Sequence, residues 1–175
     1  VVTNSAGTVT SNAATLAINL APTITVQPQR QSVTVGSSVT FTMTASGTAP
    51  LSYQWRNGGT NIGGATSATL TLINVQAGDA GNYDVVVSNS AGSVISSVAT
   101  LTVIVTPTIT TPPVSTTSVN QGQTATFTVV ASGTAPLSYQ WRKGSSNISG
   151  ATNSTLILSN VQSSDAGNYD VVVNN

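Results

Sequence analysis

Apolar and polar residues alternate along this chain with a period of two. Val39, Phe41, Met43 and Ala45 alternate with Thr40, Thr42 and Thr44, giving one apolar face and one hydroxylated face. That is the signature of a strand with one side in a core and the other in water. Leu51, Tyr53 and Trp55 share a face, as do Leu70 and Leu72, and Tyr83, Val85 and Val87 alternate with Asn82, Asp84 and Val86. Ala99, Leu101, Val103 and Val105 then alternate with Thr100, Thr102 and Ile104. Thr and Val dominate these runs, in keeping with their restricted χ1 and their fit to a pleated surface. Between the runs lie Gly58-Gly59, Gly63-Gly64 and Gly78-Asp79-Ala80-Gly81, which permit turns and positive φ. No stretch of about ten residues carries a helical stripe, so the pattern predicts an all-β fold. About seven short strands fall in roughly 85 residues, the count of a two-sheet sandwich.

The pattern then repeats. Landmarks from Phe41 to Tyr83 return 86 residues later: Trp55 recurs as Trp141, Tyr83 as Tyr169, and Ala-Pro-Leu-Ser-Tyr-Gln-Trp-Arg is intact in both copies. A period in this range means tandem modules rather than one large core. Val1-Val2-Thr3-Asn4-Ser5-Ala6-Gly7 matches Val86-Val87-Ser88-Asn89-Ser90-Ala91-Gly92, and Asn175 is the counterpart of Asn89. The register therefore assigns residues 1–20 to the last strand of a preceding repeat, or to a donor strand for a neighbour. Ala14, Leu16, Ile18 and Leu20 form its expected buried row. Residues 22–105 make a complete domain, and residues 107–175 a domain lacking only its last strand. The junctions Leu20-Ala21-Pro22 and Val105-Thr106-Pro107 contain no Gly-Ser spacer, and Pro holds itself and its predecessor extended. The expected object is a stiff rod, each domain adding on the order of 35–40 Å.

Gly47 to Trp55, then Asp79-Ala80-Gly81-Asn82-Tyr83 and Asn89-Ser90-Ala91-Gly92, resemble the immunoglobulin superfamily, in particular the intermediate-set-like repeats of bacterial surface and secreted proteins. The resemblance covers the whole chain and implies tandem immunoglobulin-like β-sandwiches. It also implies that Trp55 and Trp141 pack between the sheets and that Tyr83 and Tyr169 form tyrosine corners. Where the family often carries a Cys pair, this sequence has Met43 with Val85, and Val129 with Val171. Apolar side chains at those positions fill the core without a bridge. The missing pair points toward a prokaryotic repeat protein rather than an animal receptor.

A sandwich without its last strand exposes a strand edge and an apolar groove. A domain of this size has only about 4–13 kcal/mol of stability to lose. Residues 1–20 are the missing piece in sequence terms: removing the four-residue overlap of Val1 to Asn4 with Val172 to Asn175 leaves 175 − 4 = 171 residues, or 85 + 86. Three arrangements follow: a window on a longer covalent array, subunits joined head to tail by exchange of the N-terminal strand, or a chain folded back to close its own gap.

Composition excludes several function classes. The chain has no Cys and no His, and four Lys+Arg balance four acids, Asp79, Asp84, Asp165 and Asp170. A neutral chain with 5% charged residues offers neither a nucleic-acid groove nor a basic membrane face. No apolar run reaches the roughly 20 residues of a transmembrane span. Without His, Cys or Glu, the usual general bases and activated nucleophiles cannot be assembled, and no metal-ligand spacing is present. No catalytic residue, metal or cofactor is expected. Asp79 and Asp165 read as turn residues before the tyrosine corner rather than calcium ligands, having no acidic cluster around them. Arg56 and Arg142 should point outward, as solvated residues or as partners for a neighbouring domain or ligand. Lys143 has Asn57 as its counterpart, which rules out a repeat-wide isopeptide crosslink. Asn147-Ile148-Ser149 and Asn153-Ser154-Thr155 fit the glycosylation pattern but have no counterpart in the first repeat.

Outward strand positions carry Thr, Ser, Asn and Gln instead of charge, so neighbouring copies would not repel one another. The reading is a non-enzymatic extracellular or cell-surface structural protein, a segment of a fibre, filament or stalk, partnered by copies of itself and, on a hydroxyl-rich surface, by glycans. The alternative is an adhesin or carbohydrate-binding module. A spacer attached to an enzyme in a longer chain is a third class.

Overall fold

A computed structural model describes residues 1–114 and 118–175. Among the described residues the regular elements are strands, apart from two 3-10 turns, Ala77–Asp79 and Ser163–Asp165. The fold is all-β, as the period-two pattern predicts. The chain forms two compact units, one from Val1–Gln29, Phe41–Leu70 and Asn82–Ala99, the other from Arg30–Thr40, Thr71–Gly81 and Thr100–Asn175. The stretch 22–105 thus contributes to both.

In the first unit, Ser52–Asn57 pairs antiparallel on one side with Thr60–Asn61 and on the other with Gly81–Asn89. Gly81–Asn89 continues through a tight turn into Gly92–Ile95, pairing Asn89 with Gly92. Thr23–Val26 pairs antiparallel with Thr44–Ser46. The alternation then shows its purpose: Phe41, Trp55, Tyr83, Val85 and Val87 are all buried. At the N-terminus, Val2–Asn4 and Gly7–Val9 make a hairpin, its turn held by Asn4 Oδ1 accepting from the amides of Ala6 and Gly7.

In the second unit, Ser138–Lys143 lies between Ser146–Asn147 and Tyr169–Asn174. Ala125–Thr128 pairs with Thr155–Leu158, while Val130–Ser132 pairs with Thr108–Thr111. The single apolar-polar run from Ala125 to Ser132 is therefore interrupted at Val129, where the chain changes partner. Val129, Trp141 and Leu156 form a buried cluster against which Phe127, Leu158, Tyr169 and Val171 pack. Also in this unit, Gln31–Thr34 runs parallel to Ala99–Ile104, matching Val103 to Val33 and Ile104 to Thr34.

The expected buried row of the N-terminal strand takes a different form. Leu16, Ile18 and Leu20 are 86%, 74% and 63% exposed, Ala14 is exposed too, and residues 10–22 belong to no strand. The alternation marks a strand-competent segment, but a strand also needs a neighbouring backbone along its length to satisfy its N–H and C=O groups, and in this row it is Leu20 whose carbonyl accepts from a backbone amide, that of Thr48.

Candidate functional site

Two features recur or contrast between the repeats: the junction where each repeat begins, and the edge where its last strand belongs. Both rest on the aromatic core. Trp55 and Trp141 are fully buried, and each indole Nε1 donates to a backbone carbonyl at 2.9 Å, that of Ser67 and of Asn153 respectively. The Gln54 amide bridges the carbonyls of Trp55 and Ile62, and Gln140 does the same for Trp141 and Ile148. These bonds satisfy the polar atoms that burying the indole would otherwise orphan. Met43 and Val85 are buried, as is Val129, while Val171 is half-buried.

The Tyr169 hydroxyl donates to the carbonyl of Asp165 at 2.7 Å, four residues upstream, which is tyrosine-corner geometry. The Tyr83 hydroxyl accepts from Asn57 Nδ2 at 3.3 Å. Asp79 and Asp165 each accept from a turn amide, Gln76 N and Gln162 N, both at 2.8 Å. Among the described residues no three His, Cys, Asp or Glu side chains gather to hold a metal ion.

The arginines, expected to point outward as solvated residues or as partners for a neighbouring domain or ligand, have partners within their own repeat. Arg56 grips Asp84 through Nε at 2.6 Å and Nη2 at 3.0 Å, and Arg142 grips Asp170 at 2.7 and 2.8 Å. Each pair sits directly across two antiparallel strands, an arrangement that a linear sequence does not display. The hydrogen bond from Arg142 holds the Asp170 carboxyl below its ordinary value, and both guanidinium groups are pushed up by their carboxylates.

At the first junction the backbone of Leu20 is bound on both sides. Its N–H donates to Thr48 Oγ1 at 2.8 Å, and its carbonyl accepts from Thr48 N at 3.1 Å and from Asn89 Nδ2 at 2.7 Å. The same Asn89 amide donates to the Thr48 carbonyl at 2.8 Å, while its oxygen accepts from Ala91 N at 2.9 Å. One carboxamide therefore closes its own turn and ties down the incoming segment. The second junction repeats this: Val105 N donates to Thr134 Oγ1 at 2.7 Å, and the Val105 carbonyl accepts from Thr134 N at 2.9 Å and Asn175 Nδ2 at 2.7 Å. Gly47 and Gly133 let the chains approach, since a Cβ on either would lie 3.1 Å from the Cα of Pro22 or Pro107. Their φ values, 149° and 153°, are also ones that other residues rarely adopt. Sequence reasoning located the junctions but not Thr48, Asn89, Thr134 or Asn175. The available signal was that Thr48 and Asn89 both recur 86 residues later, as Thr134 and Asn175.

The edge differs between repeats. Ala99, Leu101 and Val103 of the first repeat are buried. In the second repeat a groove of about 410 Å³ opens beside Val119, Ala125, Phe127, Leu158, Val161 and Tyr169. Phe127, Tyr169 and Val171 are half-buried there, whereas their counterparts Phe41, Tyr83 and Val85 are 0%, 2% and 0% exposed.

Residues 21–89 and 106–175 match the immunoglobulin domain family. The chain belongs to that family and is a tandem of immunoglobulin-like β-sandwiches. It is 30% identical over its whole length to human leucine-rich repeats and immunoglobulin-like domains protein 3, of which it spans 17%. A shorter match, 39% identical over 87 residues, covers 47% of the chain and 8% of endoglucanase C from Cellulomonas fimi. Among solved structures, an I-band fragment of titin superposes with a TM-score of 0.76 at 25% identity, covering 89% of this chain and 61% of that one. The relatives thus include a human protein and one from Cellulomonas fimi. No helix among the described residues is long and apolar enough to cross a membrane.

Proposed function

We propose that this chain is a non-enzymatic, extracellular structural segment, in which immunoglobulin-like repeats bounded at 22–105 and 107–175 are laid head to tail in a fibre, filament or surface stalk. The carrying observation is the duplicated junction, where Thr and Asn side chains of one repeat bind the backbone carbonyl and amide at the end of the preceding strand. A surface rich in Thr, Ser, Asn and Gln, with only 5% charged residues, supports close association of copies. The missing Cys pair and the bacterial relative support an intermediate-set-like repeat of prokaryotic origin. Each repeat is completed by a last strand, supplied by a continuing chain or by a neighbouring subunit.

Electron microscopy of native material carrying this sequence, with its mass under denaturing conditions, tests the reading. Filaments or stalks outside the cell are expected. An intracellular, dispersed monomer would overturn it. A second reading, a carbohydrate-binding or adhesive surface module, draws on the match to a stretch of endoglucanase C and on the hydroxyl-rich surface. Saturable binding of the two-repeat chain on a glycan array would favour it.

A further inference from the structure

The strand Thr155–Leu158 has a neighbour on one side only. It pairs antiparallel with Ala125–Thr128, and among the described residues no strand lies against its other side. The register fixes which backbone groups this leaves open. Val129 N donates to the Ser154 carbonyl at 3.0 Å, so the pairs of that parity, Phe127 with Leu156 and Ala125 with Leu158, exchange the ladder bonds. The alternate residues, Thr155 and Ile157, therefore turn their N–H and C=O groups outward along the free edge. The complete first repeat has the same edge. Its strand Thr69–Leu72 also pairs on one side only, with Val39–Thr42, and Met43 N donates to the Ala68 carbonyl at 3.2 Å in the same parity.

Open edges are ordinarily guarded by Lys, by Pro or by an inward-pointing charge, any of which discourages pairing with another chain. From Ala151 to Val161 the sequence has none of these. Leu156 and Leu158 are committed to the core, while Ile157 is 62% exposed beside the open backbone, where the first repeat has Thr71.

We propose that Thr155–Leu158 is a lateral association site, occupied by the same strand of a second copy of the chain in antiparallel register. The edge is complementary to itself. A two-fold axis through Leu156 sets Thr155 opposite Ile157 of the second copy, and Ile157 opposite its Thr155. Every residue in those pairs has its N–H and C=O turned toward the contact, so each pair exchanges both of its bonds and the sheet continues from one copy into the next. A slip of one residue would oppose groups already spent on Ala125–Thr128. Ile157 then packs beside Thr155 of the second copy on the outer face, as directly opposed residues do. With a net charge of zero and no charge on the edge, nothing repels the twin. Two strands of 4 residues bury well under the roughly 1,200 Å² of a stable interface, so one contact is weak by itself. Repeated along the head-to-tail array of the proposed function, it gains by multivalency and holds rods side by side.

The test uses the full 175-residue chain and two variants, Ile157→Lys, which puts a guarding charge on an exposed position, and Thr155→Pro, which removes only an outward N–H. Sedimentation and amide exchange are followed from micromolar to millimolar concentration. The parent should pass from monomer to dimer, and exchange at Thr155 and Ile157 should slow about tenfold across that rise. Leu156 and Leu158, already bonded within the repeat, should exchange at a constant rate. Both variants should stay monomeric with the parent's fold. The proposal is overturned if the parent is monomeric at millimolar concentration, if it associates with Thr155 and Ile157 unprotected, or if Ile157→Lys associates as the parent does. Protection at Thr69 and Thr71 alone would place the contact on the other repeat and also overturns it. Single native filaments that never bundle, with a monomeric parent, would remove lateral pairing and leave the fibre reading intact. Dimers with the expected protection, from a protein that forms no filament, would do the reverse.

Discussion

The two repeats agree around the tryptophan and diverge at the edge. The Phe to Trp ring separations are 6.1 Å in the first and 6.2 Å in the second, and Phe stacks on Tyr at 5.1 Å in both. Yet Phe41, Tyr83 and Val85 are buried, and Phe127, Tyr169 and Val171 only half so. Ring geometry follows from the shared local sequence and its cross-strand register. Burial follows the strands packed alongside, and in the first repeat Ala99–Ile104 lies against Gly81–Asn89. The comparison separates what local sequence and cross-strand register specify from what a further packed strand adds.

The strongest test of the shared half is truncation of its centre. Trp55→Ala and Trp141→Ala should each cost about 3–5 kcal/mol, read as local opening by amide exchange resolved for each repeat. A loss under about 1 kcal/mol at either would refute the register that places both indoles in the core. The divergent half predicts asymmetry. Phe41→Ala should also cost about 3–5 kcal/mol, but Phe127→Ala about half as much, because part of its surface is already in water.

The junctions offer a finer probe. Asn89→Asp keeps the oxygen that closes the turn but sets a carboxylate against the carbonyls of Leu20 and Thr48. It should destabilise the first repeat by about 2–3 kcal/mol, more than Asn89→Ala at about 1–2 kcal/mol, by urea denaturation. The reverse order would mean that the amide's donors do not hold the linker.

The smallest effect concerns acid. The carboxyl of Asp170 is depressed below its ordinary 3.8 by Arg142, so its contribution to stability is complete above that pH and is lost as pH falls through the folded value. Asp170→Asn should therefore flatten part of the loss below about pH 4 and leave stability above it shifted only slightly, since the pair is largely solvated.

Much of this was legible in the residues. Period two predicted strands and set Met43 and Trp55 on apolar faces, the 86-residue return predicted tandem modules, and the family resemblance implied that Trp55 and Trp141 pack between the sheets with Met43 and Val129 in the core. Less legible were the partners of polar side chains. Arg56 and Asp84 lie 28 residues apart and meet because their strands are paired in one register, and Asn89 reaches Leu20 across 69. Such meetings depend on sheet pairing, which periodicity does not specify.

The chain's sequence by itself determined that its strands form, which faces are apolar, and that one module recurs, because those follow from local alternation and turn residues. Tertiary structure alone decided which polar groups clamp the junctions and which of two equivalent rows is buried. Ala14, Leu16 and Ile18 carry the same pattern as Ala99, Leu101 and Val103, yet among the described residues only the second set lies against a partner strand. A strand's alternation states what it can bury, and the neighbouring backbone determines whether it does.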